Sequence, residues 1–133
     1  MPSEKEKLSI LSEMIGFAKV NNEIKQMEYD FLFSVAQQLE VSKLTFDSLF
    51  KKDVEHVIPK SQAERIVQFH RLVLLMNVDN KQELIEIKRL HDIGLNMGLP
   101  PGAIQQVLSI MHQYPDKIVP PDVLMSIFRS YYN

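Results

Sequence analysis

Acidic side chains gather at one joint of the chain. Asp79, Glu83 and Glu86 fall within "VDNKQELIE" (78–86), and Glu28 holds the matching place in "VNNEIKQME" (20–28). Carboxylates at this spacing are hard oxygen ligands, suited to holding Ca²⁺ or Mg²⁺ weakly through water. The same residues also suit a helix start. Asp79 can order a turn, and a glutamate at the third helical position faces the helix dipole and reaches back to the cap N–H, for about 0.3–1 kcal/mol. With Lys25 and Glu83 as N-caps, Glu28 and Glu86 fall at that position. An EF-hand is excluded by spacing. A loop from Asp79 puts Lys81 at its third place, Leu84 where glycine is required and Leu90 where the closing glutamate belongs; a loop from Asn21 puts Gln26 and Leu32 at the last two.

Other chemistry is sparse. The absence of cysteine removes disulfides, thiolate metal sites and a cysteine nucleophile. His56, His70, His91 and His112 include no HExxH pair and no pair three or four residues apart, so they read as partly exposed surface residues. No GxSxG or phosphate-cradling glycine loop occurs, and only 4 glycines are present. Glu13, Glu23, Glu40 and Glu55 have no spacing that pairs them. The expectation is a non-enzymatic protein with no cofactor beyond a weakly held divalent cation.

Charge and hydropathy narrow the setting. A net charge of −2, from 15 basic and 17 acidic residues, gives no electrostatic basis for binding nucleic acid. The longest apolar run is "LVLLM" (72–76), far short of the roughly 20 residues of a membrane span. The opening "MPSEKEK" is too polar for the apolar part of a signal peptide. A cytoplasmic location without direct membrane insertion is therefore expected.

Two features point to a partner protein or to self-association. The closing "IFRSYYN" carries Phe128, Tyr131 and Tyr132, which either close the core or offer an aromatic contact surface. Among the 7 methionines, Met14, Met27, Met76, Met97 and Met111 fall on apolar helix faces, as core residues do.

The elements that position these residues come from an internal repeat. Residues 3–50 align without a gap on residues 61–108. Identities at Ser3/Ser61, Glu6/Glu64, Asn22/Asn80 and Glu28/Glu86 are joined by a shared apolar pattern: Leu8, Leu11, Ile15, Phe17 and Ala18 meet Ile66, Phe69, Val73, Leu75 and Met76, and Met27 and Leu32 meet Ile85 and Leu90. Each unit reads as three helices. The first opens at a Ser-x-x-Glu capping box, the second ends at Gly98 in the later unit, and Ser42 caps the third in the earlier one. Residues 53–58 form a connector, and a last helix runs from about Asp122 to Tyr131. The expected fold is all-α: one domain over 1–133, a bundle of about seven helices built from two similar three-helix units plus a C-terminal helix.

The two joints carry a resemblance. A first helix ending in an Ala-Asp-Gly-like joint, a hydrophobic residue, and a glutamate opening the next helix, occurring twice, resembles the TerB-like family associated with tellurite resistance. Val20, Asn21 and Asn22, then Ile24 and Glu28, hold these places in the first joint; Val78, Asp79, Asn80 and Glu86 hold them in the second. The resemblance spans roughly Leu8 to Met111. It implies a compact helical domain, usually bacterial, acting near metal-oxyanion or envelope stress, with metal binding proposed at the acidic joint. The chain departs from the pattern at Asn21, which replaces the joint aspartate, at the two asparagines in the glycine places, and at Gln82 opposite Ile24. These readings converge on an interaction or stress-response module that binds through a helical surface such as the groove between the units. A divalent-cation domain using Asp79, Glu83, Glu86 and Glu28 is the alternative.

Overall fold

A computed structural model describes residues 2–19, 23–78 and 84–132. Among them are seven α-helices and no strand: α1 (Glu4–Ala18), α2 (Gln26–Gln38), α3 (Lys43–Ser48), α4 (Gln62–Met76), α5 (Leu84–Asn96), α6 (Pro101–Ile110) and α7 (Pro121–Ser130). Short 3₁₀ turns at Met111–Gln113 and Pro115–Lys117 lead into α7. The helices of the second unit begin 58 residues after those of the first, and the first two pairs also end at that offset. No helix among the described residues is long and apolar enough to cross a membrane.

Local chemistry repeats with the bounds. Ser3 Oγ accepts the Glu6 N–H at 3.2 Å, Ser61 Oγ accepts the Glu64 N–H at 3.0 Å, and Ser42 Oγ accepts the Thr45 N–H at 3.2 Å. These caps satisfy N–H groups that have no partner inside the helix. The reach-back expected of both glutamates takes a different form. Glu6 accepts the Ser3 hydroxyl at 3.1 Å, whereas Glu64 Oε2 is buried without a hydrogen bond and its charge acts on Arg71. At α2 the Lys25 N–H donates to Glu28 Oε1 at 2.9 Å, which is the helix-start arrangement the spacing implies.

The second helices end alike. After α5, Gly98 takes φ 79°, its N–H reaches the Leu95 carbonyl at 2.9 Å, and the Leu99 N–H reaches Gly94 at 3.0 Å. After α2, Glu40 takes φ 60°, its N–H reaches Gln37 at 3.0 Å, and the Val41 N–H reaches Ala36 at 2.9 Å. Both are Schellman endings, one with glycine at the left-handed position and one without.

One apolar core runs through the molecule. α1 packs on α2 and α4, α4 on α5 and α7, and α6 on α5 and α7. Leu11, Leu32, Phe46, Phe69, Leu90, Ile104 and Phe128 are fully enclosed. The methionines divide: Met14, Met76, Met97 and Met111 are buried, but Met27 is 53% exposed and its counterpart Ile85 is 50% exposed. Both stand at the second position of their helix, ahead of the stripe led by Leu32 and Leu90, so the apolar type there reflects no core contact.

Candidate functional site

α1 and α5 meet in a cleft of about 290 Å³, with the connector closing one side. α1 contributes Ser9, Ser12, Glu13 and Gly16; the connector contributes Val54 and His56; α5 contributes Arg89, Asp92, Ile93 and Asn96. The α1 residues recur at helical spacing on one face, as do those of α5.

The floor is a polar chain through the α1–α4 packing. Gln68 is 1% exposed. Its amide Nε2 donates to Glu13 Oε1 at 3.0 Å and to the Ile10 carbonyl at 3.3 Å, while its Oε1 accepts from the Arg71 guanidinium at 3.3 Å. Glu13 has a side chain 13% exposed. Burial pushes its carboxyl pKa above the ordinary 4.5, against the lowering effects of the Gln68 bond, His56 and Arg89. Glu13 Oε2 has His56 Nε2 at 3.7 Å, an ion-pair distance too long for a hydrogen bond.

Ser9 fixes the connector wall. Its hydroxyl accepts the Val57 N–H at 2.8 Å and donates to the Val57 carbonyl at 3.1 Å. Both polar groups of one connector residue are thereby tied to buried α1, and His56 is held at the rim. With the hydroxyl engaged in this way, Ser9 acts as a latch on the backbone.

The same fold position in the other half makes a second cleft. There α4 and α2 meet beside the 116–118 segment, and Phe31, Leu74, Asn77, Val78, Asp116 and Ile118 line about 380 Å³. The offset of 58 pairs Phe31 with Arg89, Leu74 with Gly16, Arg71 with Glu13 and Gln68 with Ile10. One cleft collects charge; its counterpart is largely apolar. At Gly16 a Cβ would meet nothing within 4 Å, so no neighbour requires a glycine there. Its missing side chain leaves the α1 wall open where Leu74 covers the α4 wall.

No protein-family model, curated protein or solved structure matches this chain.

The residues singled out from sequence fall elsewhere. Asp79 and Glu83 lie outside the described residues, as do Val20, Asn21, Asn22, Asn80, Lys81 and Gln82. Glu28 and Glu86 are each 7% exposed, in the first turns of α2 and α5. Among the described residues no group of three or more histidines and carboxylates is placed to hold a metal ion. Phe128 is fully buried and meets the Phe69 ring edge-on at 5.8 Å, so it belongs to the core and not to a contact surface. Tyr131 and Tyr132 stay exposed at 45% and 43%. The Tyr131 ring lies over Gly102, where a Cβ would come within 2.6 Å, and its hydroxyl donates to Gln106 Oε1 at 3.3 Å.

The histidines also separate. His70 is half-buried, with Nε2 3.1 Å from the Val119 carbonyl, and burial lowers its pKa below the ordinary 6.5. His56 stands at the charged cleft. Sequence spacing gave no pairing for Glu13, and Arg89, Asp92 and Gly16 carried no motif. Arg89 and Gly16 stand opposite Phe31 and Leu74 in the repeat, a change from apolar to charged or absent that marks them, whereas Glu13 and Asp92 stand opposite Arg71 and Ser34 and carry no such signal.

Proposed function

We propose that this protein is a non-enzymatic binding module, TerB-like in its repeated joints, that receives part of a partner protein in the cleft between its two units. Gly16 carries the reading. A glycine inside a helix costs about 0.5–1 kcal/mol relative to alanine, and no neighbouring atom requires one here. What it provides is access to the Glu13 floor. The engagement of Ser9 with Val57 favours binding over nucleophilic chemistry. The resemblance of the two joints to the TerB-like family favours a stress-response setting.

Capture from the native host tests this with two variants. Gly16→Ala leaves room in the cleft and retains the partner. Gly16→Leu projects a side chain into the cleft and loses the partner while the melting curve stays cooperative. Equal capture by both variants refutes the proposal.

A further inference from the structure

The chemistry of the cleft narrows what it receives. Glu13 presents one carboxylate oxygen bound to Gln68 and a second that has His56 Nε2 at 3.7 Å, outside hydrogen-bond range. Asp92 adds a second carboxylate from α5, against the single guanidinium of Arg89. An anion seated here would lie against both carboxylates, and an apolar group would strip water from Glu13 without replacing its hydrogen bond. A group rich in N–H donors and positively charged meets neither penalty. The Ser12 hydroxyl and the Asn96 amide add neutral acceptors on the same walls.

We infer that the cleft is a recognition site for a monovalent organic cation, a guanidinium or primary ammonium group on an alkyl stem. This rests on the cleft being the binding site. Volume and shape agree: about 290 Å³ is at the small end of ligand sites, which run from roughly 300 to 1,000 Å³, and admits one side chain or a small amine. The alkyl stem lies along Ile93 and the open face of Gly16, and the charged head reaches Glu13 Oε2. At the equivalent place the helix walls of the second cleft present Leu74 and Phe31 and no carboxylate; its one carboxylate, Asp116, comes from the 116–118 segment. Burial has already raised the Glu13 pKa, so its carboxylate is short of compensating charge, which a cation supplies. The same chemistry can arrive as an arginine or lysine side chain of a partner or as a free amine.

Heteronuclear NMR titration of the full chain distinguishes these. The probes are a capped Gly-Arg-Gly peptide, its uncharged citrulline isostere, a capped Gly-Glu-Gly peptide and agmatine. The expected result is saturable shifts of the Ser12, Glu13, Asp92 and Asn96 amides with the arginine peptide, and binding weaker by about tenfold or more for citrulline, since one charge-assisted hydrogen bond is lost. Glu13→Gln weakens arginine binding to a similar extent while thermal melting remains cooperative, and Gly16→Leu abolishes it. Tighter binding of the peptide than of agmatine identifies a partner side chain as the source; the reverse identifies a solute. Equal or stronger shifts with the citrulline or glutamate peptide overturn the cation assignment and leave the cleft as a binding site. No shift with any probe also overturns it; if Gly16→Leu nevertheless loses the host partner the cleft reading stands, and if it does not, both fall.

Discussion

Replacing Gly16 by alanine should stabilise the protein. In the interior of a helix, glycine is about 0.8–1 kcal/mol less favourable than alanine, because the unfolded chain gives up more backbone freedom. Gly16 stands in the last turn of α1, where part of that difference is lost to fraying, so the gain expected is about 0.5–1 kcal/mol. Nothing opposes it, since an added Cβ has no atom within 4 Å. For a domain of 133 residues, with an unfolding entropy of about 2 cal/mol/K per residue, this raises the melting temperature by about 2–4 °C. Gly94 is the internal control. It too is helical, but a Cβ there would sit 2.7 Å from Ile104 Cδ1 and 3.4 Å from Phe69 Cδ1, both on fully buried side chains. The propensity gain is the same and the overpacking costs about 1–3 kcal/mol, so Gly94→Ala should be less stable than Gly16→Ala by that amount. Urea denaturation followed by far-ultraviolet circular dichroism, with unchanged m-values, measures both. A Gly16→Ala protein no more stable than the parent would mean that this glycine holds the backbone and does not keep a cleft open.

The helix endings make a reciprocal pair: Glu40→Gly relieves a left-handed non-glycine residue and should stabilise by about 0.5–1 kcal/mol, whereas Gly98→Ala should destabilise by about 1 kcal/mol, and chemical denaturation giving the same sign for both would refute the conformational argument. Because burial raises the Glu13 pKa in the folded state, its stabilising contribution is full below pH 4.5 and is lost as pH rises through the folded value. The stability of the parent relative to Glu13→Gln should therefore fall as pH is raised from 4, as denaturation midpoints will show. His70 has the opposite linkage: its lowered pKa gives a contribution present above pH 6.5 and lost as pH falls through the folded value, so His70→Gln should flatten the acid side of the stability curve.

Much of the fold was legible because its signals are local and repeated. The capping serines at 3, 42 and 61, the stop at Gly98 and the period of the apolar residues each specify a helix boundary or a buried face without reference to distant residues. The clefts were not legible in that way. The approach of α1 to α5 depends on how three helices pack, and the contact between Glu13 and Gln68 joins residues 55 positions apart. Glu40 illustrates the same limit at short range: its left-handed conformation is imposed by the Schellman geometry, and no residue type announces it. Met27 and Ile85 failed for another reason. An apolar residue one turn outside the buried stripe satisfies the period as well as one within it.

The comparison between halves gives the site its physical meaning. Two units whose first two helices share the same bounds meet similar packing demands there, so positions that differ between them are freer of that common demand. Ile10 and Gln68 are both buried at the α1–α4 contact, and a buried amide there is costly unless its hydrogen bonds are met. They are met by the Ile10 carbonyl, Glu13 and Arg71, which fixes the Glu13 carboxylate beneath the acidic cleft. A single amide in place of an apolar residue at the centre of the repeat thus holds a carboxylate at that cleft. Gly16 then leaves the α1 wall of the acidic cleft bare, whereas Leu74 lines its counterpart. Packing alone would have been served by an apolar residue at position 68, so the polar floor under an open wall is the feature of this fold that packing does not require and on which the proposed cation site rests.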